Sequence, residues 1–240
     1  MSQLIETAAA IVGNEMRRVE SLAQNLANIA TPAYKQQLPF QQALQAADPA
    51  AGQVEAAVQA APSVASWSDW RAGALVGDGN PLHVALMGAG WFELNTPTGA
   101  AYTRHGAFRI DERGRLVSVQ GHPVSLEGGS EADLRGRNVH IAADGALIED
   151  GRSIGRLRVL DFKGQATLQR AADGLFRARG AQAVEAEDAT LRVGALEASN
   201  VASADNMVRL MESMRRAELG QKLAHAYDDM LGRALRAAGE

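Results

Sequence analysis

Apolar residues recur every seven positions along the first thirty residues, which predicts a long helix with one apolar stripe. The first series is Ile5, Val12, Val19 and Leu26, and a second series three residues further on contains Ala8, Leu22 and Ile29. Only Glu15 interrupts the second series. Pro32 cannot donate to a helical ladder and disfavours the α conformation at Thr31, so we expect the helix to span about residues 2–30. Such a stripe is stable only when another element covers it.

A second helical pattern covers residues 206–237 at the other end of the chain. Its apolar positions are Leu210, Met214, Ala217, Ala224, Tyr227, Leu231 and Ala234. Spacings of three, four and seven place these residues on one side of a helix. We therefore expect the two terminal helices to pair as a coiled coil.

Between residues 82 and 193 the apolar pattern changes to a period of two, interrupted by glycine-containing turns. Short apolar runs such as Phe108 to Ile110 and Val139 to Ile141 alternate with turns such as Asp144-Gly145. This spacing is typical of an antiparallel all-β module. The prediction is an α+β fold with a discontinuous terminal α-helical coiled-coil domain and a central antiparallel all-β domain.

The predicted boundaries follow from these patterns. Residues 1–35 form the N-terminal helix of the terminal domain, 36–80 an extended Ala/Gln-rich connector, 81–197 the β domain, and 198–240 the C-terminal helix. The connector carries mostly small side chains as far as Ser66 and should become ordered only against neighbours. Trp67 and Trp70 follow it, and we interpret them as packing aromatics at the edge of the β domain.

Composition excludes several classes of function. The formal net charge is −4 and the pI about 5.8, which gives no basic field for nucleic acid or an anionic membrane. The absence of cysteine excludes disulfides, thiolate nucleophiles and cysteine zinc sites. The N-terminus lacks the pattern of a cleaved secretory signal, and no apolar run is long enough to span a bilayer. Composition alone would therefore indicate a soluble cytoplasmic protein.

The stretch Asn25-Leu26-Ala27-Asn28, followed by Thr31-Pro32-Ala33-Tyr34-Lys35, resembles the N-terminal signature of bacterial flagellar basal-body rod and hook proteins. That family usually has glycine where this chain has Ala33. If the turn requires a positive φ, alanine is strained there.

The resemblance continues through the chain, apart from residues 41–66. The central positions that match the family are Asn80, Pro81, Tyr102, Thr103, Arg104 and Gly106, and Ser199, Asn200 and Val201 match the segment before the C-terminal helix. His83 and Trp91 replace a usual aspartate and phenylalanine. Leu168, Arg170 and the stretch Asp173-Gly174-Leu175-Phe176 favour the proximal-rod branch over a distal-rod or hook subunit.

The resemblance implies a structural subunit without catalytic activity or cofactor. Such a protein would pass unfolded through the flagellar type III export apparatus without a cleaved signal. It would then join the periplasmic rod of the basal body and polymerise with copies of itself and other axial proteins. The expected assembly interface is formed by Ile5, Val12, Val19, Leu22, Leu26, Ile29, Leu210, Met214, Ala217, Ala224, Tyr227 and Leu231. In the isolated chain, the helical ends are expected to be poorly ordered or self-associating.

Two alternatives of another class are a periplasmic glycan-acting enzyme and a helical-hairpin adaptor. Asp111 and Asp144 are the carboxylates that the enzyme would use, but each lies near a glycine as turn residues do. The five histidines lack the spacing of a zinc site, so no metal is assigned. Gly88-Ala89-Gly90 lacks the following helix of a phosphate loop and indicates tight turns. Met207, Met211, Met214 and Met230 suit either a core or an adaptable binding surface.

Overall fold

The computed structural model describes residues 2–41, 64–136, 138–162, 168–178, 180, 183–186 and 189–238. Most of the predicted connector, residues 42–63, therefore lies outside the described residues. The chain divides into two compact units. The helix unit comprises the described parts of Met1–Ile29, Gln36–Asp69 and Val201–Glu240, and the β unit comprises those of Ala30–Lys35 and Trp70–Asn200.

Two long helices form most of the helix unit. Helix α1 is Ser2–Ala27 and helix α2 is Ser203–Ala238. They lie against each other, which confirms the two predicted helices and their contact. Two strands that the sequence analysis did not predict, β1 (Gln37–Gln41) and β2 (Val64–Ser68), form an antiparallel pair in this unit and contact α1.

The inward side of α2 follows a regular alternation of three- and four-residue steps. Its buried and half-buried positions, as far as the side chains are described, are Asn206, Leu210, Ser213, Ala217, Gly220, Ala224 and Tyr227. Met214 was predicted on this stripe, but its side chain is 49% exposed and Ser213 lies inward instead. Small residues occupy much of this stripe, and small side chains let two helices approach closely. A Cβ added to Gly220 would lie 2.7 Å from Cγ2 of Val12 on α1.

On α1 the predicted stripe is only partly buried. Leu22 is fully buried, while Val12, Val19 and Leu26 are half-buried. Ile29 lies beyond the end of the helix and is 37% exposed. The side chains of Ile5 and Leu231 lie outside the described residues.

The β unit contains fifteen of the described strands. They are β3 (Leu75–Gly77), β4 (Val84–Met87), β5 (Trp91–Thr96), β6 (Gly99–Thr103), β7 (Arg109–Ile110), β8 (Leu116–Val117), β9 (Val139–Ile141), β10 (Ala146–Glu149), β11 (Arg152–Arg156), β12 (Val159–Phe162), β13 (Leu168–Arg170), β14 (Phe176–Ala178), β15 (Ala183–Glu185), β16 (Thr190–Val193) and β17 (Ala195–Glu197). The strand pairs formed by these segments are antiparallel, which confirms a mainly β central region.

The largest sheet has six strands in the order β13-β14-β6-β5-β12-β15. A second sheet has the order β11-β10-β9, and three two-stranded pairs join β16 with β4, β17 with β3 and β7 with β8. Strands β3 and β17 come from the two ends of the unit's sequence, so their pairing closes it. The predicted domain boundaries remain predictions.

Two apolar clusters form the core of the β unit. The larger is built around buried aliphatic and aromatic side chains such as Phe92, Leu94 and Phe108. The smaller contains Trp91 and Phe176, and Trp70 packs against it with ring centroids 5.5 Å and 5.2 Å from theirs. Trp70 is thus a packing aromatic of this unit, as predicted. The side chain of Trp67 lies outside the described residues.

Candidate assembly interface

The first asparagine of the N-terminal motif is buried in the helix unit and binds backbone. Asn25 is 0% exposed, and its Nδ2 donates to the carbonyl oxygen of Gln37 at 2.6 Å. The amide N–H of Gln37 donates back to Oδ1 of Asn25 at 2.8 Å. An amide side chain supplies both a donor and an acceptor, so it pairs with one residue of β1 much as a neighbouring strand would.

The same amide reaches the first turn of α2. Nδ2 of Asn25 lies 3.5 Å from Oδ1 of Asn206, which also accepts from Nε2 of Gln36 at 3.3 Å. Nδ2 of Asn206 donates to the carbonyl oxygen of Ala202 at 2.8 Å. Because Asn206 is 1% exposed, these three amides form a buried polar cluster linking α1, α2 and the start of β1. We call it the amide cluster.

The β unit contains a second buried polar cluster, made of charged groups. Nζ of Lys35 lies 2.6 Å from Oε1 of Glu197, and Nε of Arg104 lies 2.8 Å from Oε2 of the same carboxylate. The side chains of Lys35 and Glu197 are 0% exposed. The amide N–H of Gly73 also donates to Oε1 of Glu197, and Nζ of Lys35 donates to the carbonyl oxygen of Arg71. We call this the ionic cluster.

Backbone carbonyls satisfy the other donors of Arg104. Its guanidinium donates to the carbonyl oxygens of Gly90 at 3.0 Å and Gly88 at 2.9 Å. Both glycines have a positive φ, and a Cβ on Gly90 would lie 2.7 Å from Val159. The glycine stretch is therefore a tight turn that directs carbonyls at an arginine, which confirms the turn prediction.

The charge of Glu197 depends on its two cationic neighbours. Burial by itself would raise the pKa of this carboxyl, but Arg104, Lys35 and the hydrogen bonds from Lys35 and Gly73 together hold its pKa below the ordinary value of 4.5. Removing either cation would leave a buried carboxylate with less compensation. Lys35 follows α1 in the chain by a few residues and Glu197 precedes α2, so the cluster joins segments far apart in sequence.

The segment that favoured the proximal-rod branch contacts the N-terminal motif within the β unit. The guanidinium of Arg170 lies 4.6 Å from the ring centroid of Tyr34 and 5.3 Å from that of Phe176. Arg170 also donates to the carbonyl oxygen of Lys35. A guanidinium between two rings gains cation–π attraction, which strengthens with burial. Tyr34 and Phe176 are therefore connected through a single arginine.

Ala33 has a φ of +58°, a left-handed conformation that suits glycine better than alanine. Its N–H donates to the carbonyl oxygen of Glu197 at 2.7 Å, which fixes the turn in this geometry. The family's usual glycine has a physical reason here, and the predicted strain is present.

Other motif residues shape turns and close contacts. Oδ1 of Asn80 accepts from the N–H of Leu82, and the N–H of Ile141 donates to the carbonyl oxygen of Pro81. A Cβ on Gly106 would lie 1.7 Å from the carbonyl oxygen of Val84, so a larger residue cannot fit. Nδ2 of Asn200 donates to the carbonyl oxygen of Arg71.

The remaining motif positions have simple environments. Nδ2 of Asn28 donates to the carbonyl oxygen of Gln24. Oγ1 of Thr103 accepts from the N–H of His105, and the ring of Tyr102 packs on that of Phe162 with centroids 4.7 Å apart. Val201 is buried in the helix unit. Thr31, Pro32 and Ser199 are exposed or half-buried.

The outward sides of α2 carry many large apolar side chains. Those at least 49% exposed are Met207, Val208, Met211, Met214, Leu219, Leu223 and Met230. On α1, Ile11 and Met16 are 47% and 53% exposed. Single exposed apolar residues are ordinary, but seven on one helix form a surface typical of a contact with another chain.

The groups that a glycan-acting enzyme would use serve as turn residues. Oδ1 of Asp111 accepts from the N–H of Arg113 and of Arg115, and Oδ1 of Asp144 accepts from that of Ala146. These backbone hydrogen bonds, with nearby arginines, lower the pKa of both carboxyls. A general acid for glycoside hydrolysis requires a raised pKa, so the arrangement does not favour this role.

Among the described residues, no group of three or more acidic or histidine side chains is placed to hold a metal ion. No helix in the described ranges has a stretch long and apolar enough to cross a membrane.

Sequence reasoning missed the centre of the ionic cluster. Arg104 was recognised as a motif residue, but Glu197 was not identified as its partner. The available signal was the lone acidic residue that ends the apolar run Ala195-Leu196, since an inward carboxylate in a strand requires a buried cation. Lys35 and Glu197 are 162 residues apart, so only the fold shows that they meet.

Comparison with known proteins agrees with this pattern of motifs. A family profile described as flagellar hook protein FlgE/F/G D1 domain matches residues 85–148, and one described as flagellar basal body rod FlgEFG protein C-terminal matches residues 192–237.

Relatives match over most of the chain. The flagellar basal-body rod protein FlgF of Escherichia coli is 34% identical over 98% of this chain and 97% of its own length. FlgF of Mesorhizobium japonicum is 31% identical over 84% of this chain and 83% of its own. The flagellar basal-body rod protein FlgG of Agrobacterium fabrum is 28% identical over 93% of this chain and 94% of its own. The chain therefore belongs to the flagellar basal-body rod protein family and resembles its FlgF members over nearly the whole sequence.

Proposed function

We propose that this chain is a structural subunit of the flagellar basal-body rod, acting in its proximal part, and that it polymerises through its two terminal helices. The observation that carries the proposal is the large exposed apolar surface of α2, on a chain whose relatives bear the name of rod proteins. The predicted interface residues on both helices remain part of this proposal.

The positions on α2 support contacts on two sides. At about 100° per residue, α2 has three sides roughly 120° apart around its axis. The first is the inward stripe, the second carries Met207, Met211 and Met214, and the third carries Val208, Leu219, Leu223 and Met230. We call the second and third groups the methionine face and the leucine face. If α1 and α2 form a coiled coil through the inward stripe, both other faces are available to neighbouring subunits.

Two different faces on one helix permit growth without closure. A subunit that offers one surface and accepts another makes a head-to-tail contact, and such contacts generate helical assemblies when the rotation does not close. A rod requires this kind of growth. A two-fold contact would instead stop at a dimer, which is what a hairpin adaptor would form.

Export and location are proposed from the family resemblance. The chain would reach the periplasmic part of the basal body through the flagellar type III apparatus, without a cleaved signal, and assemble there with copies of itself and other axial proteins. The distal rod or hook is the alternative position in the same structure. The resemblance of Leu168, Arg170 and residues 173–176 to the proximal-rod branch supports the proximal rod, as does the higher identity to FlgF of Escherichia coli than to FlgG of Agrobacterium fabrum.

The proposal is tested by placing charge on the leucine face. Leu219→Glu with Leu223→Glu introduces two carboxylates that assembly would bury, so we expect loss of motility and of the chain from purified basal bodies. Gln221→Glu is the matched control, since it adds one charge at an exposed polar position of the same helix. Normal incorporation of the double variant would contradict polymerisation through this helix.

A second pair of variants tests the N-terminal end. Leu26→Asp or Ile29→Asp should block incorporation while the β unit stays folded, because neither residue belongs to its core. Motility unaffected by both changes would contradict a role of this segment in assembly.

A further inference from the structure

The stripe between α1 and α2 contains few side chains that could distinguish one helix register from another. On α2 its central members are Ser213, Ala217, Gly220 and Ala224, all small. A shift of one heptad exchanges Ala217 for Ala224 and Ser213 for Gly220, so among these four central positions the apolar packing opposes it only where a Cβ in the place of Gly220 would meet Val12. Register is weakly specified wherever the alternatives bury similar side chains.

Three contacts nevertheless agree on one antiparallel register. Asn25 lies by Asn206, Glu15 lies 4.0 Å from Arg216, and Val12 lies against Gly220. Moving α2 by one heptad would place Ser213 near Asn25 and Leu223 near Glu15. The ion pair and the asparagine contact would then both be lost.

The amide cluster is the most deeply buried of these contacts. Asn25 is bound on one side to both backbone groups of Gln37 and on the other to Asn206. Asn206 is held by Ala202 and Gln36 as well. In a shifted register Asn206 would keep its local hydrogen bond to Ala202 but lose its contacts with Asn25 and Gln36. Losing such contacts between buried amides is costly.

We propose that Asn25 and Asn206 are positioning residues that set the register of the two terminal helices. A buried asparagine in a coiled-coil seam is known to select register at some expense of stability. Through register, the amide cluster determines which residues of α1 lie beside the methionine and leucine faces of α2. In this respect the inference rests on the proposed function, although the register itself belongs to the single chain.

The test uses the absence of cysteine from the sequence. A Cβ on Gly220 would lie 4.0 Å from Cβ of Val12, within the range of a disulfide. Val12→Cys with Gly220→Cys therefore reports the observed register. Val12→Cys combined with Ser213→Cys or with Tyr227→Cys reports a shift of one heptad either way, because seven residues displace a helix by about 10 Å.

Each full-length variant is equilibrated with glutathione in dilute solution, and the disulfide fraction is measured on the monomer isolated by size exclusion. We expect the Gly220 pair to be oxidised predominantly and the other pairs to remain mostly reduced. Adding Asn25→Leu and Asn206→Leu should raise the ratio of shifted to observed disulfides by at least about tenfold, the factor that 1.4 kcal/mol represents. An unchanged ratio with retained helical circular dichroism would overturn the proposal.

A milder variant covers the case in which the double variant does not fold. Asn206→Ala keeps the hydrogen bonds of Asn25 to Gln37 and removes only the amide that α2 contributes to the cluster. The ratio of shifted to observed disulfides should therefore rise by a smaller factor than in the double variant. No rise in a variant with native helix content would again overturn the proposal. The result does not depend on assembly: a native register in a chain that fails to enter the rod would contradict the proposed function and leave this inference intact.

Discussion

The two units of this protein bury apolar side chains to very different degrees. In the β unit, Phe92, Leu94, Val124 and Leu147 are 0% exposed and belong to one continuous core. In the helix unit, α2 leaves seven large apolar side chains at least 49% exposed, and its inward stripe consists mostly of small residues. The β unit satisfies its core within one chain. The helix unit leaves apolar side chains exposed that, under the proposed function, neighbouring subunits would cover.

Their polar clusters differ in the same way. The ionic cluster of the β unit is buried and its charges compensate one another, so losing one member leaves buried charge with less compensation. The amide cluster of the helix unit is neutral and lies at the start of α2. The first stabilises a finished core, whereas the second orients two helices whose outer faces are exposed. Under the proposed function, the finished core and the surface used for assembly thus belong to different units of the chain.

The largest expected effect is on the ionic cluster. Glu197→Ala leaves Lys35 and Arg104 buried without their carboxylate and should lower the free energy of unfolding of the β unit by about 3–5 kcal/mol. Urea unfolding followed by tryptophan fluorescence in a Trp67→Phe background measures it, since Trp70 and Trp91 belong to this unit. Glu185→Gln, at a largely exposed carboxylate, is the control and should change the value by less than about 0.5 kcal/mol.

A pair of truncations tests whether the two cores are separate. Leu94→Ala should destabilise the β unit by about 2–5 kcal/mol in the same assay, because it opens a cavity in the core. Leu22→Ala removes an equally buried leucine from α1 and should leave the fluorescence transition within about 0.5 kcal/mol of its original position, while helical circular dichroism falls. A shared shift in both variants would show that the units unfold together.

The pH dependence of the β unit follows from the lowered pKa of Glu197. A carboxyl with a depressed folded-state pKa stabilises the fold above its unfolded-state value, and that contribution is lost as pH falls through the folded-state pKa. We therefore expect the free energy of unfolding to decrease as pH drops below about 4.5, the ordinary value of this group. Glu197→Gln should show a shallower decrease over the same range. Equal slopes in the two proteins would mean that other carboxyls cause the acid sensitivity.

The smallest effect is expected at the strained turn. Ala33→Gly relieves a left-handed alanine but adds freedom to the unfolded chain, so a net stabilisation of up to about 1 kcal/mol is expected. Ala72 is exposed and has no positive φ, which makes Ala72→Gly the control, with an expected loss of up to about 1 kcal/mol. Thermal unfolding of both variants gives the comparison. If Ala33→Gly also lowers the unfolding temperature, the left-handed conformation of Ala33 does not cost the fold stability that glycine would restore.

Periodicity and turn chemistry were sufficient to predict the large features. The heptad series and Pro32 indicated α1, and the alternation with glycine turns indicated an antiparallel β region. The pattern could not show whether Ser213 or Met214 faces α1, because a residue three or four positions after Leu210 can continue the stripe. Hydrophobicity favours methionine, so the prediction chose Met214. Only the close approach at Gly220 shows that small residues line the contact.

The buried polar clusters were less accessible from sequence. Asn25, Arg104 and Asn200 were identified by resemblance, but their partners are 12, 93 and 129 residues away. Local patterns carry no information about such pairings, because each partner is an ordinary polar residue in its own segment. Strands β1 and β2 were not predicted because each is short and flanks a long Ala/Gln-rich stretch, and the residues that pair between them lie on opposite sides of that stretch.

Hydrogen exchange of the full-length chain, compared between dilute monomer and assembled rods, tests the central claim most directly. We predict that amides of β5, β6 and β12 exchange slowly in both states, while those of α1 and α2 exchange orders of magnitude faster in the monomer and become protected on assembly. Helices that are as protected in the dilute monomer as the six-stranded sheet would contradict an interface completed by neighbouring subunits.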